Sequence, residues 1–206
     1  MKSSRQTHWD GVYGAKAETE VSWFQETPEP SLDLLRLVGA RPNDSVIDIG
    51  GGASRLVDYL LDQGFANLSV LDLSEAALAT ARVRLGERGS KVRWIAADVT
   101  NWEPGEVYDF WHDRAALHFL TDPADQAAYA ARLKKALRVG GHVIIGTFAL
   151  DGPEKCSGLP VMRHEANSLS ALLGSGFALI DTRRHEHNTP WASVQKFQFC
   201  TFRRES

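Results

Sequence analysis

The stretch VIDIGGGASRLVDYLL, residues 46–61, decides how the chain folds. It opens on a short apolar run, Val46 to Ile49, interrupted by one acid, Asp48, and three glycines follow at once. Beyond them Leu56, Val57, Leu60 and Leu61 recur at helical spacing, which predicts an amphipathic helix over 54–62. Glycine weakens strands and helices alike. Three of them between a buried strand and a helix mark a place where the backbone must come close to something. The helix N-terminus beyond offers free N–H groups and a partial positive charge, which favour an anionic group such as a carboxylate or a phosphate.

The rest of the chain extends the same alternation. Upstream, Leu32, Leu34, Leu35, Leu37 and Val38 predict a helix over 31–38, while residues 1–30 read as aromatic-rich and irregular. Strands are predicted over 45–50, 68–73, 92–99, 108–113 and 142–150. Helices are predicted over 74–85, capped by Ser74 and closed by Gly86, and over 122–139, opened by Asp122–Pro123 and stopped by Gly140 and Gly141. A short helix over 168–173 precedes two strand-like runs, 177–187 and 193–203, joined by NTPWA. Strands so closely connected must be antiparallel. The expected fold is therefore α/β: a doubly wound, mostly parallel seven-stranded sheet that ends in an antiparallel hairpin. Residues 1–30 are expected to form an N-terminal aromatic lid and residues 31–206 a single domain. Ligands of such sheets bind beyond the carboxyl ends of the strands, near the point where strand order reverses.

Composition narrows the function classes. At 206 residues the chain can bury its own core. A net charge of -3 gives no basic footprint, so nucleic acid is not an expected partner. No apolar run approaches the ~20 residues of a membrane span, so no membrane association is expected. Residues 1–6 are polar and lack the apolar stretch of a signal peptide. Cys156 and Cys200 stand far apart, which argues for a reducing compartment and against a disulfide framework or a thiolate zinc site. A cytoplasmic location is the expectation, with the oligomeric state left open.

Two further acids sharpen the glycine turn. Asp72 ends the second strand in SVLDLS, where a carboxylate can accept both ribose hydroxyls of a nucleoside. Asp98 ends the third in WIAADVT, where it can accept from an adenine amino group, with the Val99 N–H nearby. The competing dinucleotide fingerprint needs a third glycine. Counted from Gly50 that position is Arg55, and counted from Gly51 it is Leu56, so neither fits.

The segments VIDIGGGAS, LDLS and AADVTNW, with the terminal hairpin, resemble the class I methyltransferases that use S-adenosylmethionine. The resemblance implies that Gly50, Gly51 and Gly52 lie against the methionine end of the cofactor. Asp48 would reach its ammonium, Asp72 with Leu73 would hold the ribose, and Asp98 with Val99 would frame the adenine. Apart from the resemblance, the N-terminal aromatics Trp9, Tyr13, Trp23 and Phe24 are expected to order over the cofactor and shield the sulfonium from water, and Trp23, Phe24 and Asp113 are counted in the cofactor set. Ser54 stands where many members carry another glycine.

The acceptor side is less legible. His112, Asp113 and Arg114 stand at the carboxyl edge of the fourth strand, in YDFWHDRAALHFL. DRAAL is similar to the corresponding stretch of bacterial thiopurine methyltransferases, which methylate a sulfur. The N-terminal WD..Y lead is similar to small protein-lysine methyltransferases. Of seven histidines, His142 reads as structural and His8 lies near a terminus, whereas His112, His118, His164, His185 and His187 should rim the carboxyl edge. A neutral histidine there could take a proton from the acceptor, so His118, His112 and Asp113 are the catalytic candidates. Trp9, Tyr13, Arg114, His185 and Trp191 are the expected acceptor contacts. His185 and His187 share a strand face but lack a third ligand, so no metal is expected. The expected activity is methyl transfer to a small molecule, a thiol or other soft nucleophile foremost. A protein lysine, or cofactor binding without catalysis, are the alternatives.

Overall fold

The structure is a computed structural model that describes residues 3–206. Met1 and Lys2, the first residues of the expected lid, lie outside the described residues. Six helices are described, α1 Ser4–Ala15, α2 Ser31–Leu37, α3 Leu56–Asp62, α4 Glu75–Leu85, α5 Pro123–Ala136 and α6 Ala166–Leu173. The strands are β1 Ser45–Ile49, β2 Asn67–Asp72, β3 Val92–Ala96, β4 Tyr108–Arg114, β5 Leu137–Phe148, β6 Lys155–Cys156, β7 Leu159–Pro160, β8 Phe177–Asn188 and β9 Val194–Arg204.

Seven strands form one sheet in the order β3-β2-β1-β4-β5-β9-β8. β1 pairs in parallel with both β2 and β4, and strand order reverses there. β9 enters antiparallel between β5 and β8. Period-2 alternation sends successive side chains to opposite faces. Val46, Phe110 and Ile144 pack on one face with α2, α3 and α4 through Leu35, Leu56, Leu60 and Leu78. Ile47, Trp111, Val143 and Ile145 pack on the other with α5 and α6 through Tyr129, Leu133, Leu169 and Leu173.

Three local readings change. The helix expected to run to residue 139 ends at Ala136, and Leu137 already pairs with Tyr108 in the sheet. Gly140 and Gly141 are not the helix stop. They sit in β5 opposite a shift of register between Tyr108 and Phe110, and a Cβ on Gly141 would lie 2.8 Å from the Asp109 carbonyl oxygen. Glycine inside a strand marks such a bulge. β3 ends at Ala96, so Asp98 stands in the turn beyond it. The N-terminal segment, read as irregular, contains α1, capped by the Ser3 hydroxyl, which accepts from the Gln6 N–H at 3.1 Å. No helix of the described residues is long and apolar enough to cross a membrane.

Candidate functional site

The carboxyl ends of β1, β2 and β4 open onto a cavity. Its near wall holds Gly50, Asp72, Leu73, Asp98 and Val99. Gly50 has φ +66, and a Cβ there would meet the Cβ of Ala116 at 2.6 Å. A Cβ on Gly51 would stand 2.5 Å from Asp48 Oδ2, and one on Gly52 would stand 2.6 Å from Asp72 Oδ2. The three glycines thus let the turn press against both carboxylates, which answers why three are needed.

Asp48 lies beneath the turn. The Nδ1 of His112 stands 2.6 Å from Asp48 Oδ1, and its Nε2 stands 2.8 Å from the Ser31 hydroxyl. A carboxylate only accepts, so Nδ1–H donates to Asp48 and Nε2 accepts from Ser31. Asp48 Oδ2 is left buried without a partner. Asp72 accepts from the Ser74 N–H at 2.7 Å, and burial pushes its carboxyl up to about 7. Asp98 Oδ1 accepts from the N–H and hydroxyl of Thr100 at 2.9 and 2.7 Å.

α1 closes over these acids. Arg5 reaches Asp98 at 3.4 Å and Asp125 at 3.2 Å, and the Ser74 hydroxyl donates to Asp10 at 2.7 Å. The ring of Trp9 meets Phe119 and Trp23 edge-on at 4.8 and 5.7 Å, and the Trp23 indole N–H donates to the Tyr13 hydroxyl at 3.2 Å. Burial, with the nearby Asp72, pushes the Tyr13 hydroxyl above its ordinary value.

Of the residues expected at the site, Trp9, Tyr13, Trp23, Gly50, Asp72, Leu73, Asp98, Val99 and Arg114 line the cavity. The catalytic candidates do not. Both ring nitrogens of His112 are held by Asp48 and Ser31, so its base is spent on orienting a carboxylate. Asp113 is fully buried and accepts from the Ala116 and Leu117 N–H groups and the Tyr129 hydroxyl, which makes it the organiser of the turn after β4. His118 is fully buried against Phe119 and Phe148, and burial pushes its imidazole down to about 3. Phe24 lies in a separate cleft under the Arg55 guanidinium. His185 packs edge-on against Phe199, outside the cavity lining. Trp191 is exposed, with the Lys16 ammonium 5.8 Å from its ring.

The sequence reading did not place Arg5, Phe119, Phe148, Cys156, Gln195 and Phe197, which also line the cavity. Most of them come from α1, from the loop after β5 and from β9, and only the order of strands brings those segments together. Cys156 sits in the tight β6–β7 hairpin, and burial pushes its thiol up to about 11, which keeps it protonated and unreactive.

Residues 46–141 match the model of a methyltransferase domain. The chain is similar to the mouse eEF1A lysine and N-terminal methyltransferase, at 25% identity over 94% of this chain and 30% of that protein. It is similar to the ubiquinone biosynthesis O-methyltransferase of Nitrosomonas europaea, at 32% identity over 54% of this chain and 46% of that one. It thus spans about a third and about half of these two relatives. Among solved structures it resembles the Burkholderia thailandensis 1,6-didemethyltoxoflavin-N1-methyltransferase, crystallised with its substrate and S-adenosylhomocysteine. The TM-score is 0.69 at 26% identity, over 98% of this chain and 85% of that one. Residues 46–141 thus carry a methyltransferase domain, the fold is that of the class I S-adenosylmethionine-dependent methyltransferases, and the cofactor is S-adenosylmethionine. The residues present fit that cofactor: an orphaned buried carboxylate oxygen on Asp48, two further acids at the cavity, and a turn that a side chain on Gly50 would fill.

Proposed function

We propose that this chain methylates a small-molecule acceptor, a thiol or other soft nucleophile foremost. The observation that carries this reading is the aromatic part of the cavity lining. Trp9, Trp23, Phe119, Phe148 and Phe197 make it apolar, and sites that take small molecules are lined mostly by apolar and aromatic side chains with a few placed polar groups.

S-adenosylmethionine supplies an activated methyl group on a sulfonium. The chain's part is to bind, orient and exclude water. Asp72 accepts the ribose hydroxyls, Asp98 with Val99 frames the adenine, and Asp48 Oδ2 takes the ammonium while His112 holds Oδ1. Residues 1–30 act as the lid: α1 and Trp23 cover the site, so the acceptor meets the methyl group desolvated and aligned. Among the described residues no histidine lines the cavity, which suits a nucleophile that ionises without a general base.

An acceptor screen that follows release of S-adenosylhomocysteine tests this, with thiols, carboxylic acids and lysate proteins in parallel. Turnover on a small molecule is the expected result. The alignment of a protein methyltransferase over 94% of this chain favours a second reading, a protein lysine or N-terminus as acceptor. Label from radioactive cofactor confined to one protein band would establish it in place of the first. Tight binding of S-adenosylhomocysteine with no turnover on any fraction would instead indicate a cofactor-binding module.

A further inference from the structure

Among the described residues, the cavity holds one buried cation whose donors are mostly free. Arg114 ends β4, and the Nη1 of its guanidinium donates to the Trp23 carbonyl at 2.8 Å. Its Nε and Nη2 are buried and have no partner. Those two N–H groups lie along the same edge of the planar guanidinium, the edge that grips both oxygens of a carboxylate. The guanidinium carbon stands 5.2 Å from the Phe197 ring of β9. In the sheet β9 lies beyond β5, on the far side of β4 from β2 and β3. The guanidinium is therefore covered by a ring from the half of the sheet away from β2 and β3.

Leaving such donors empty is costly, because a buried polar group without a partner loses its hydration and gains nothing. Burial lowers the Arg114 guanidinium to about 10, so it stays charged at neutral pH. The Asp48 carboxylate pulls the guanidinium back up but pairs with neither free donor, and Cys156 in the same cavity is held as a neutral thiol.

We propose that the free edge of Arg114 binds a carboxylate, and that this carboxylate is carried by the acceptor. The inference rests on the small-acceptor reading above and narrows it to small carboxylic acids whose nucleophilic atom lies within reach of the methyl group. The cofactor's own methionine carboxylate offers the same chemistry, and the experiment separates the two.

The wild-type protein is given radiolabelled S-adenosylmethionine and the low-molecular-weight filtrate of a cell lysate, split on an anion-exchange resin into retained and unretained pools. The expected acceptor activity is in the retained pool. Alkaline phosphatase should leave it intact, and amidation of carboxyl groups with a carbodiimide and methylamine should remove it. R114Q should then lower kcat/KM with that pool by about 100-fold, R114K should recover part of the loss, and S-adenosylhomocysteine affinity by calorimetry should move less than about threefold. That unchanged affinity also shows that the variants fold. Activity in the unretained pool, loss of activity to phosphatase, or an equal fall in S-adenosylhomocysteine affinity would each overturn the proposal. The protein fraction held back by the filter is assayed in parallel, and label in those proteins with none in either small-molecule pool would overturn the small-acceptor reading itself, and this inference with it.

Discussion

His112 Nδ1 lies 2.6 Å from Asp48 Oδ1, and both side chains are almost wholly buried. The imidazole fixes one carboxylate oxygen and leaves the other, Oδ2, facing the glycine turn without a partner. A histidine that reads in the sequence as a base is in the structure the support of a buried carboxylate. Replacing His112 with Ala should weaken S-adenosylhomocysteine binding by about 1–2 kcal/mol, because Asp48 loses a hydrogen bond and its orientation. Calorimetry checks this, and unchanged affinity would remove His112 from the cofactor site.

As the proposed ribose ligand, Asp72 should make cofactor binding depend on pH. In the free protein burial raises its carboxyl to about 7, so below that pH the group carries a proton. Ribose hydroxyls donate to the ionised form, so binding below pH 7 must release that proton. Affinity for S-adenosylhomocysteine should therefore be level above about pH 7 and fall as pH drops, by up to about tenfold per unit. Asp72→Asn should flatten the curve, and Asp72→Ala should cost roughly 1–3 kcal/mol at pH 8. Calorimetry from pH 5.5 to 8.5 decides.

Gly51→Ala tests the close approach of the turn. The new Cβ would stand 2.5 Å from Asp48 Oδ2 and 2.8 Å from Val70 Cγ1, so either the carboxylate or the backbone must shift. A loss of about 1–3 kcal/mol in S-adenosylhomocysteine affinity is expected from such crowding. A variant that binds the cofactor normally would show that the second glycine is dispensable.

α1 is held over the site by a few partly exposed polar contacts, Arg5 to Asp98 and Asp125, and Ser74 to Asp10. Pairs of this kind contribute about 0.2–1 kcal/mol each. The double substitution Arg5→Ala and Asp10→Ala should speed S-adenosylhomocysteine release by about 2–10-fold, read by stopped-flow from the fluorescence of Trp9 and Trp23. An unchanged release rate would mean that α1 does not gate the cofactor.

His118 is held neutral by burial, with its imidazole down at about 3. The rate of methyl transfer should show no inflection from an imidazole between pH 5 and 8, and His118→Gln should cost less than about 10-fold. A true general base would cost about 10²–10⁴-fold. A bell-shaped profile lost in the variant would restore His118 as the base.

The sequence by itself determined the parallel sheet, the glycine turn and the strand-end acids. These are local: a strand, a turn and a helix follow one another within about fifteen residues, and their periodicity and turn chemistry are written in order. Gly50, Asp72 and Asp98 were legible because each stands where its own strand ends or the chain turns just beyond it. α1 was not legible, because none of its residues is buried and it carries no apolar stripe for periodicity to report. Its place comes from Trp9 against Phe119 and Arg5 against Asp98, about a hundred residues away along the chain. The roles of the histidines were decided by the same kind of contact. His112 and His118 look alike in WHDRAALHFL, yet one faces Asp48 and Ser31 while the other is sealed behind Phe119 and Phe148. Only the tertiary structure could bring Trp23, Arg114 and Phe197 together, because a guanidinium's partners are set by which strands adjoin in space, and the insertion of β9 between β5 and β8 leaves no periodic trace in the sequence.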